Sequence, residues 1–309
     1  MRRWLDLAHR DLVRHSPVLN ALNVFPVADA DTGTNLATTV RAAAEAAAVL
    51  ETGDVGELLS LAGQAALEEA RGNSGTLFSV FLTAVGRSLE GSTRMTAESV
   101  RLALHAGHVR AWSVLTDPVD GTMLSVLEAA AAVPVPQGVE DGSNQQLKDF
   151  LAGVSTAARA AVLVTPDQLE ILRETGTVDA GGLGMLVVLD ALARTVGGDD
   201  AGDENALDAL IDAAAARAAG VAAAPHVVHG GVEVMCTVEL TPLDAAQLRH
   251  ELSEVGTSVI MSAVTETGDD GYRWRVHVHV PRPEDALTVI GARGTAVNVT
   301  VTSLSEADG

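Results

Sequence analysis

The chain has 309 residues, with 20 Lys and Arg against 41 Asp and Glu, for a formal net charge of −21. At 47% hydrophobic and 20% charged residues it carries enough apolar surface for packed cores, which argues against wholesale disorder. A surface this acidic is repelled by polyphosphate backbones, so nucleic acid and anionic membranes are not expected partners.

From Trp4 to about Val196, apolar residues recur at helical spacing and alanine runs add helix propensity, which predicts eight or nine helices. Gly-, Pro- and Asp-rich connections are expected at 16–33, 51–56, 71–75, 117–121, 133–143 and 175–182. An Ala-rich helix at 204–219 and a small-residue stretch to Pro225 then read as a helical linker. Beyond it the period changes from helical to two, at Val232 to Leu240, Tyr272 to Val280 and Val297 to Val301. Helical segments at 243–254 and 283–290, with an apolar run at 258–264, give the order βαββαβ of a ferredoxin-like module. The expected organisation is therefore an all-α domain at 1–200, a linker at 201–228 and a smaller α+β domain at 229–309. Asp6, His9, Arg10 and Asp11 break up any apolar leader, no charge-free stretch is long enough to span a bilayer, and the one cysteine, Cys236, suits a reducing compartment. These features predict a cytoplasmic protein.

The first connection reads NVFPVADADTGTN, residues 23–35, and runs straight into a helix. Asp29 and Asp31, two residues apart ahead of a helix N-terminus, offer oxygen ligands for Mg²⁺ beside an anion site. Taken alone, this is more often an Asp-rich turn with a helix cap. Its neighbours reverse that reading. Asn73-Ser74-Gly75, Asp120-Gly121-Thr122-Met123 and Asp179-Ala180-Gly181-Gly182 also open helices, so four polar loops suggest one shared mouth. Lys148 is the only lysine and follows no Gly-rich loop, which excludes P-loop and protein-kinase chemistry.

The strings LNALNVFPVADADTGTNL, ARGNSGTLFSVFL, DPVDGTMLSVLEAA and TPDQLEILRETGTVDAGGLGMLVVLDAL resemble, in order, the four signature segments of the DhaL-type domain of dihydroxyacetone kinases. The form is similar to that in the nucleotide-binding component of bacterial fatty acid kinase, and the α+β segment resembles the middle domain of that same component. The resemblance implies an antiparallel helical barrel binding ATP and Mg²⁺ at one rim. It assigns Asp29 and Asp31 as Mg²⁺ carboxylates and catalytic centre, with Asn23 as a third metal-site residue. It places Thr34, Asn35, Asn73, Ser74 and Gly75 on phosphates, and Thr122, Met123, Asp179, Gly181 and Gly182 around the nucleoside. Ala28 and Ala30 stand where the family usually has Pro and Gly. The implied activity is phosphorylation of a fatty acid presented by a DegV-like binding protein, with a homodimer left open. The family's third, partner-docking domain has no counterpart up to Gly309, which leaves a fragment and a short form both open. The rival readings are phosphotransfer to a small hydroxylated acceptor, as in dihydroxyacetone kinase, and a nucleotide-binding regulator without turnover.

In the α+β segment, His277 and His279 share one face of a strand. With Cys236 on the neighbouring strand they make a candidate three-ligand zinc site, its fourth position open to water, a carboxylate or His229. The resembled middle domain carries a Cys…His-x-His pattern at these positions, which also implies zinc. The alternative is a core cysteine beside two ordinary strand histidines.

Overall fold

A computed structural model of the chain describes residues 1–138, 141–198, 204–220, 230–268 and 270–304. The residues divide into two compact units. One comprises Met1–Pro26, Ala30–Ala111 and Val119–His226; the other comprises Val27–Asp29, Trp112–Pro118 and Val227–Gly309.

In the first unit the helices run α1 (Arg2–Ala21), α2 (Thr32–Val49), α3 (Val55–Glu69), α4 (Gly72–Ser88), α5 (Ala97–Val114, its last turn counted with the second unit), α6 (Met123–Ala131), α7 (Asn144–Gln168), α8 (Glu170–Thr175), α9 (Ala180–Gly197) and α10 (Glu204–Gly220). The α1 helix packs on α2 and α9, α2 on α3 and α4, and α7 on α6 and α9. Helix α9 is the hub, buried along almost its whole length. It is long and apolar enough to cross a membrane, yet 83% of it is buried inside the protein. Trp4 Nε1 donates to the Val188 carbonyl at 2.9 Å, fastening α1 to it. Arg194 of α9 donates to Asp190 at 2.8 Å and to Asp11 of α1, while Ser155 of α7 donates to Asp190 at 2.9 Å. The three central helices thus share one buried, fully paired ionic network.

The connection expected from residue 16 begins later, because α1 continues through Pro17 to Ala21. An interior proline costs a helix about 3 kcal/mol, and burying Leu19 and Leu22 in the core offsets it. The helix expected as linker forms at Glu204–Gly220, but Arg14 and His15 of α1 both contact Asp208, at 2.7 and 3.3 Å, so it is docked and does not act as a tether. Residues 221–228 of the expected linker, and His229, lie outside the described residues.

The second unit carries β1 (Val232–Leu240), α11 (Pro242–Val255), β2 (Thr257–Gly268), β3 (Gly271–Val280), α12 (Pro283–Gly291) and β4 (Val297–Ser303). The apolar run at 258–264 is thus the centre of a longer strand. The sheet order is β2-β3-β1-β4, with all pairs antiparallel, as the βαββαβ order requires. One face buries Val234, Cys236, Val238, Val276 and Val278 against Leu248 and Leu252 of α11 and Ile290 of α12. Residues 112–118 line the β2 edge, where Leu115 bridges Ile260 and Thr116 donates to the Val259 carbonyl at 3.0 Å.

Candidate nucleotide and metal sites

The four polar loops of the first unit do converge. Gly72, at φ +60, opens α4 in the left-handed region that favours glycine, and a Cβ there would stand 3.0 Å from Asn35 Nδ2 at the start of α2. Thr39 of α2 accepts the Arg71 N–H at 3.4 Å, and a Cβ on Gly75 would come within 2.4 Å of its hydroxyl. At the far side of α4, a Cβ on Gly181 would lie 2.7 Å from Ser74 Oγ and 3.7 Å from Met123 Cβ. The N-termini of α2, α4, α6 and α9 therefore form a chain of neighbours, with Asn35, Ser74, Met123, Gly181 and Gly182 along it. Helix N-termini gathered in this way concentrate unpaired N–H groups and positive dipole ends, a setting for phosphate.

Within this set the side chains divide by task. Asp31 is the N-cap of α2 and its carbonyl accepts the Asn35 N–H at 2.8 Å. Asn23 is buried just past the end of α1. Asp29 and Asp31 are both partly exposed, as acceptors of a metal must be. Between them Ala30 sits at φ +54, where the family's glycine would be unstrained. Asn73 Oδ1 is buried with no hydrogen-bond partner. An orphaned acceptor at the mouth of the site suits a ligand that brings a donor, such as metal-bound water or a ribose hydroxyl.

Three residues are committed to structure. Thr34 turns to α1: its N–H donates to Asn20 Oδ1 at 3.1 Å and its hydroxyl accepts from Asn20 Nδ2 at 2.9 Å. Thr122 caps α6, accepting from Leu124 N–H, and donates to the Val119 carbonyl at 2.7 Å. Asp179 caps α9 through Gly182 N–H at 2.6 Å, and burial pushes its carboxyl up to about 7. Asn20, Thr39 and Thr165 do much of the positioning, and no loop signature in the sequence marks them.

The second unit's candidate site requires a correction. Cys236 pairs across the sheet with Val276, whereas His277 pairs with Met235 and His279 with Glu233. Side chains alternate along a strand, so Cys236 points into the helix-covered core and the two histidines point to the opposite face. Burial pushes the Cys236 thiol up to about 11, the behaviour of an inert core cysteine. The third ligand on the histidine face is Glu233. Its carboxylate lies 3.6 Å from His277 Nδ1 and 3.8 Å from His279 Nε2, and the two imidazole Nε2 atoms are 3.1 Å apart. Burial pushes His277 down to about 4, so its imidazole is neutral near pH 7. Burial works to raise the Glu233 carboxyl, but the two histidines outweigh it and hold it below its ordinary range. Among the described residues, Glu233, His277 and His279 each present one ligand atom within 4.8 Å of the others.

Two family models cover the chain: a DAK2 domain at residues 26–194 and the FakA-like middle domain of fatty acid kinases at 230–308. The chain belongs to the DAK2, or DhaL-type, family, joined to a FakA-like middle domain. It is 28% identical over 304 residues to Protein YloV of Bacillus subtilis, covering 96% of this chain and 53% of that protein. It is 26% identical over 307 residues to SSP1546 of Staphylococcus saprophyticus, again covering 96% and 53%. The chain thus spans about half the length of these curated relatives. Among solved structures it is similar to the dihydroxyacetone kinase from C. freundii in complex with AMP-PNP and Mg²⁺, at 26% identity and TM-score 0.48, covering 63% of this chain and 33% of that one. The domains present are those of a kinase.

Proposed function

We propose that the chain is the ATP- and Mg²⁺-dependent component of a fatty acid kinase, phosphorylating the carboxylate of a fatty acid carried by a DegV-like binding protein in the cytoplasm. The observation that carries this reading is the convergence of four helix N-termini beside the Asp29 and Asp31 loop, in a chain that also has the kinase-associated middle domain. Asp29 and Asp31, with Asn23, would hold Mg²⁺, which supplies charge neutralisation at the phosphates when bound. The N-termini of α2 and α4, with Asn35, Asn73, Ser74 and Gly75, would take up phosphate charge. The α6 and α9 termini would border the nucleoside. With one lysine in the chain, positioning and backbone donors carry the work that lysine does in other kinases.

Glu233, His277 and His279 would hold a zinc ion, because a carboxylate and two neutral imidazoles make a set that zinc accepts.

The kinase reading is tested by calorimetry of Mg-ATP binding to wild type, Asp29→Asn and Asp31→Asn, followed by acyl-phosphate assays with a fatty-acid-loaded carrier. Each variant should fold and bind Mg-ATP at least about tenfold more weakly, since a neutral amide replaces a metal-binding carboxylate. Unchanged affinity would end the metal assignment. Transfer to dihydroxyacetone in place of the fatty acid would favour the small-acceptor kinase, and binding without any transfer would favour a regulator.

A further inference from the structure

Asp179 does more than cap one helix. Its carboxylate accepts the Gly182 N–H of α9 at 2.6 Å and also the Met123 N–H at the start of α6. Its own N–H donates to Thr165 Oγ1 at 3.1 Å, near the C-terminal end of α7. Thr165 is fully buried and Asp179 is 5% exposed. One residue therefore joins the N-termini of α6 and α9 and the last turns of α7. Close packing repeats the theme: a Cβ on Gly121, just before α6, would lie 3.1 Å from the Thr165 carbonyl, and one on Gly182 would lie 3.2 Å from Asp179 Oδ2. On the α6, α7 and α9 sides, burial and the two N–H donors set the charge of this carboxyl, and no ionisable side chain of the described residues contributes.

We propose that Asp179 is a positioning residue which, while ionised, sets the spacing of the α6 and α9 N-termini, and with it the affinity for nucleotide. This rests on the proposed nucleotide site. A carboxylate presents an acceptor to each N–H. The acid form carries a hydroxyl hydrogen, so it satisfies one N–H and releases the other. Burial brings this choice to about pH 7, without a salt-bridge partner to hold the anion. The proton comes from solvent when the site is open, and Asp179 itself touches no reacting group.

The test has two arms. In nucleotide-free protein, the amide ¹⁵N shifts of Met123 and Gly182 are followed from pH 6 to 8. Both should move with one midpoint, and invariant shifts would overturn the tie. In the second arm, Mg-ADP affinity is measured by calorimetry at pH 6 and pH 8 with Mg²⁺ in excess, for wild type, Asp179→Ser and Thr165→Val. Serine still caps α9 but is too short to reach Met123. Asp179→Ser should bind about fivefold more weakly than wild type at pH 8, and the gap should close at pH 6. Titration of the nucleotide itself is common to both proteins and cancels in that ratio. Thr165→Val should weaken binding while keeping the pH dependence. An equal wild-type to Asp179→Ser ratio at both pH values would overturn the proposal. If Asp179→Ser does not fold, the wild-type titration and its pH-dependent affinity decide, since affinity that ignores the amide midpoint would overturn it. Absence of any Mg-ADP binding by wild type would sink the nucleotide site, and the affinity claim with it, while the amide titration still reports on the tie.

Discussion

Ser74 and Gly181 oppose each other across the mouths of α4 and α9, so closely that a methyl group on residue 181 would stand 2.7 Å from the serine hydroxyl. The atom it meets is the end of a short side chain, which can turn aside at modest cost. Gly181→Ala should therefore fold, but bind Mg-ADP about five- to tenfold more weakly because the α4 and α9 termini are pushed apart. In a Ser74→Ala background the same change should cost less. A double-mutant cycle by calorimetry measures the coupling, and strictly additive losses would show that the two residues do not share a wall of the site.

Ala30, between the two candidate metal carboxylates, occupies the left-handed region at φ +54. An L-residue with a Cβ pays about 1–2 kcal/mol there, while glycine loses about 0.5–1 kcal/mol through greater freedom in the unfolded chain. Ala30→Gly should leave stability unchanged or raise it by up to about 1 kcal/mol. Ala28→Gly, at a residue without positive φ, should lower it by about 0.5–1 kcal/mol. Urea unfolding of both variants tests the contrast, and equal destabilisation would show that residue 30 is not strained.

Arg194 is paired to Asp11 and Asp190 in the centre of the helical unit, with 13% of its side chain exposed. Arg194→Met keeps the volume and leaves two buried carboxylates facing each other. It should destabilise the protein by about 3–5 kcal/mol, the usual cost of stranding one half of a buried pair. The triple change to Asp11→Leu, Asp190→Leu and Arg194→Met should recover most of that loss. Thermal unfolding at pH 7 decides, and a single variant within about 1 kcal/mol of wild type, the scale of an exposed pair, would mean that water enters the network.

The zinc proposal separates cleanly by residue. Protein purified without added metal should contain close to one zinc per chain, and Glu233→Gln and His279→Ala should each lose most of it. Cys236→Ser should retain zinc while losing about 1–2 kcal/mol of stability, because a hydroxyl replaces a thiol in an apolar core. Loss of zinc from Cys236→Ser with Glu233→Gln unaffected would reinstate the cysteine as ligand.

That last contrast shows where sequence reading runs out. The strand neighbours were legible from the βαββαβ order, because β1 must lie beside β3. The face of each strand depends on register, and the observed pairing of Met235 with His277 puts odd residues of both strands together. A shift of one residue would have brought Cys236 to the histidines, and no local signal distinguishes the two. The loops around Asn35, Ser74, Met123 and Gly181 were legible because anion-binding turns need glycine and small polar residues at fixed places. Thr34 shared that signature and was nonetheless claimed by Asn20, a residue one turn of helix away from any motif. Tertiary hydrogen bonds of this kind leave no periodicity behind.

Helix α9 combines the length and apolarity of a membrane span with Asp190 and Arg194 in its sequence. Inside the protein the two charges find each other, Asp11 and Ser155. In a bilayer each would cost about 2.5–3.5 kcal/mol near the centre, roughly cancelling the gain from several leucines and valines. The ionic network therefore also acts as a sorting signal. It makes the most greasy segment of the chain a poor substrate for insertion into lipid as it emerges from synthesis, and a good one for the other helices that supply its counter-charges.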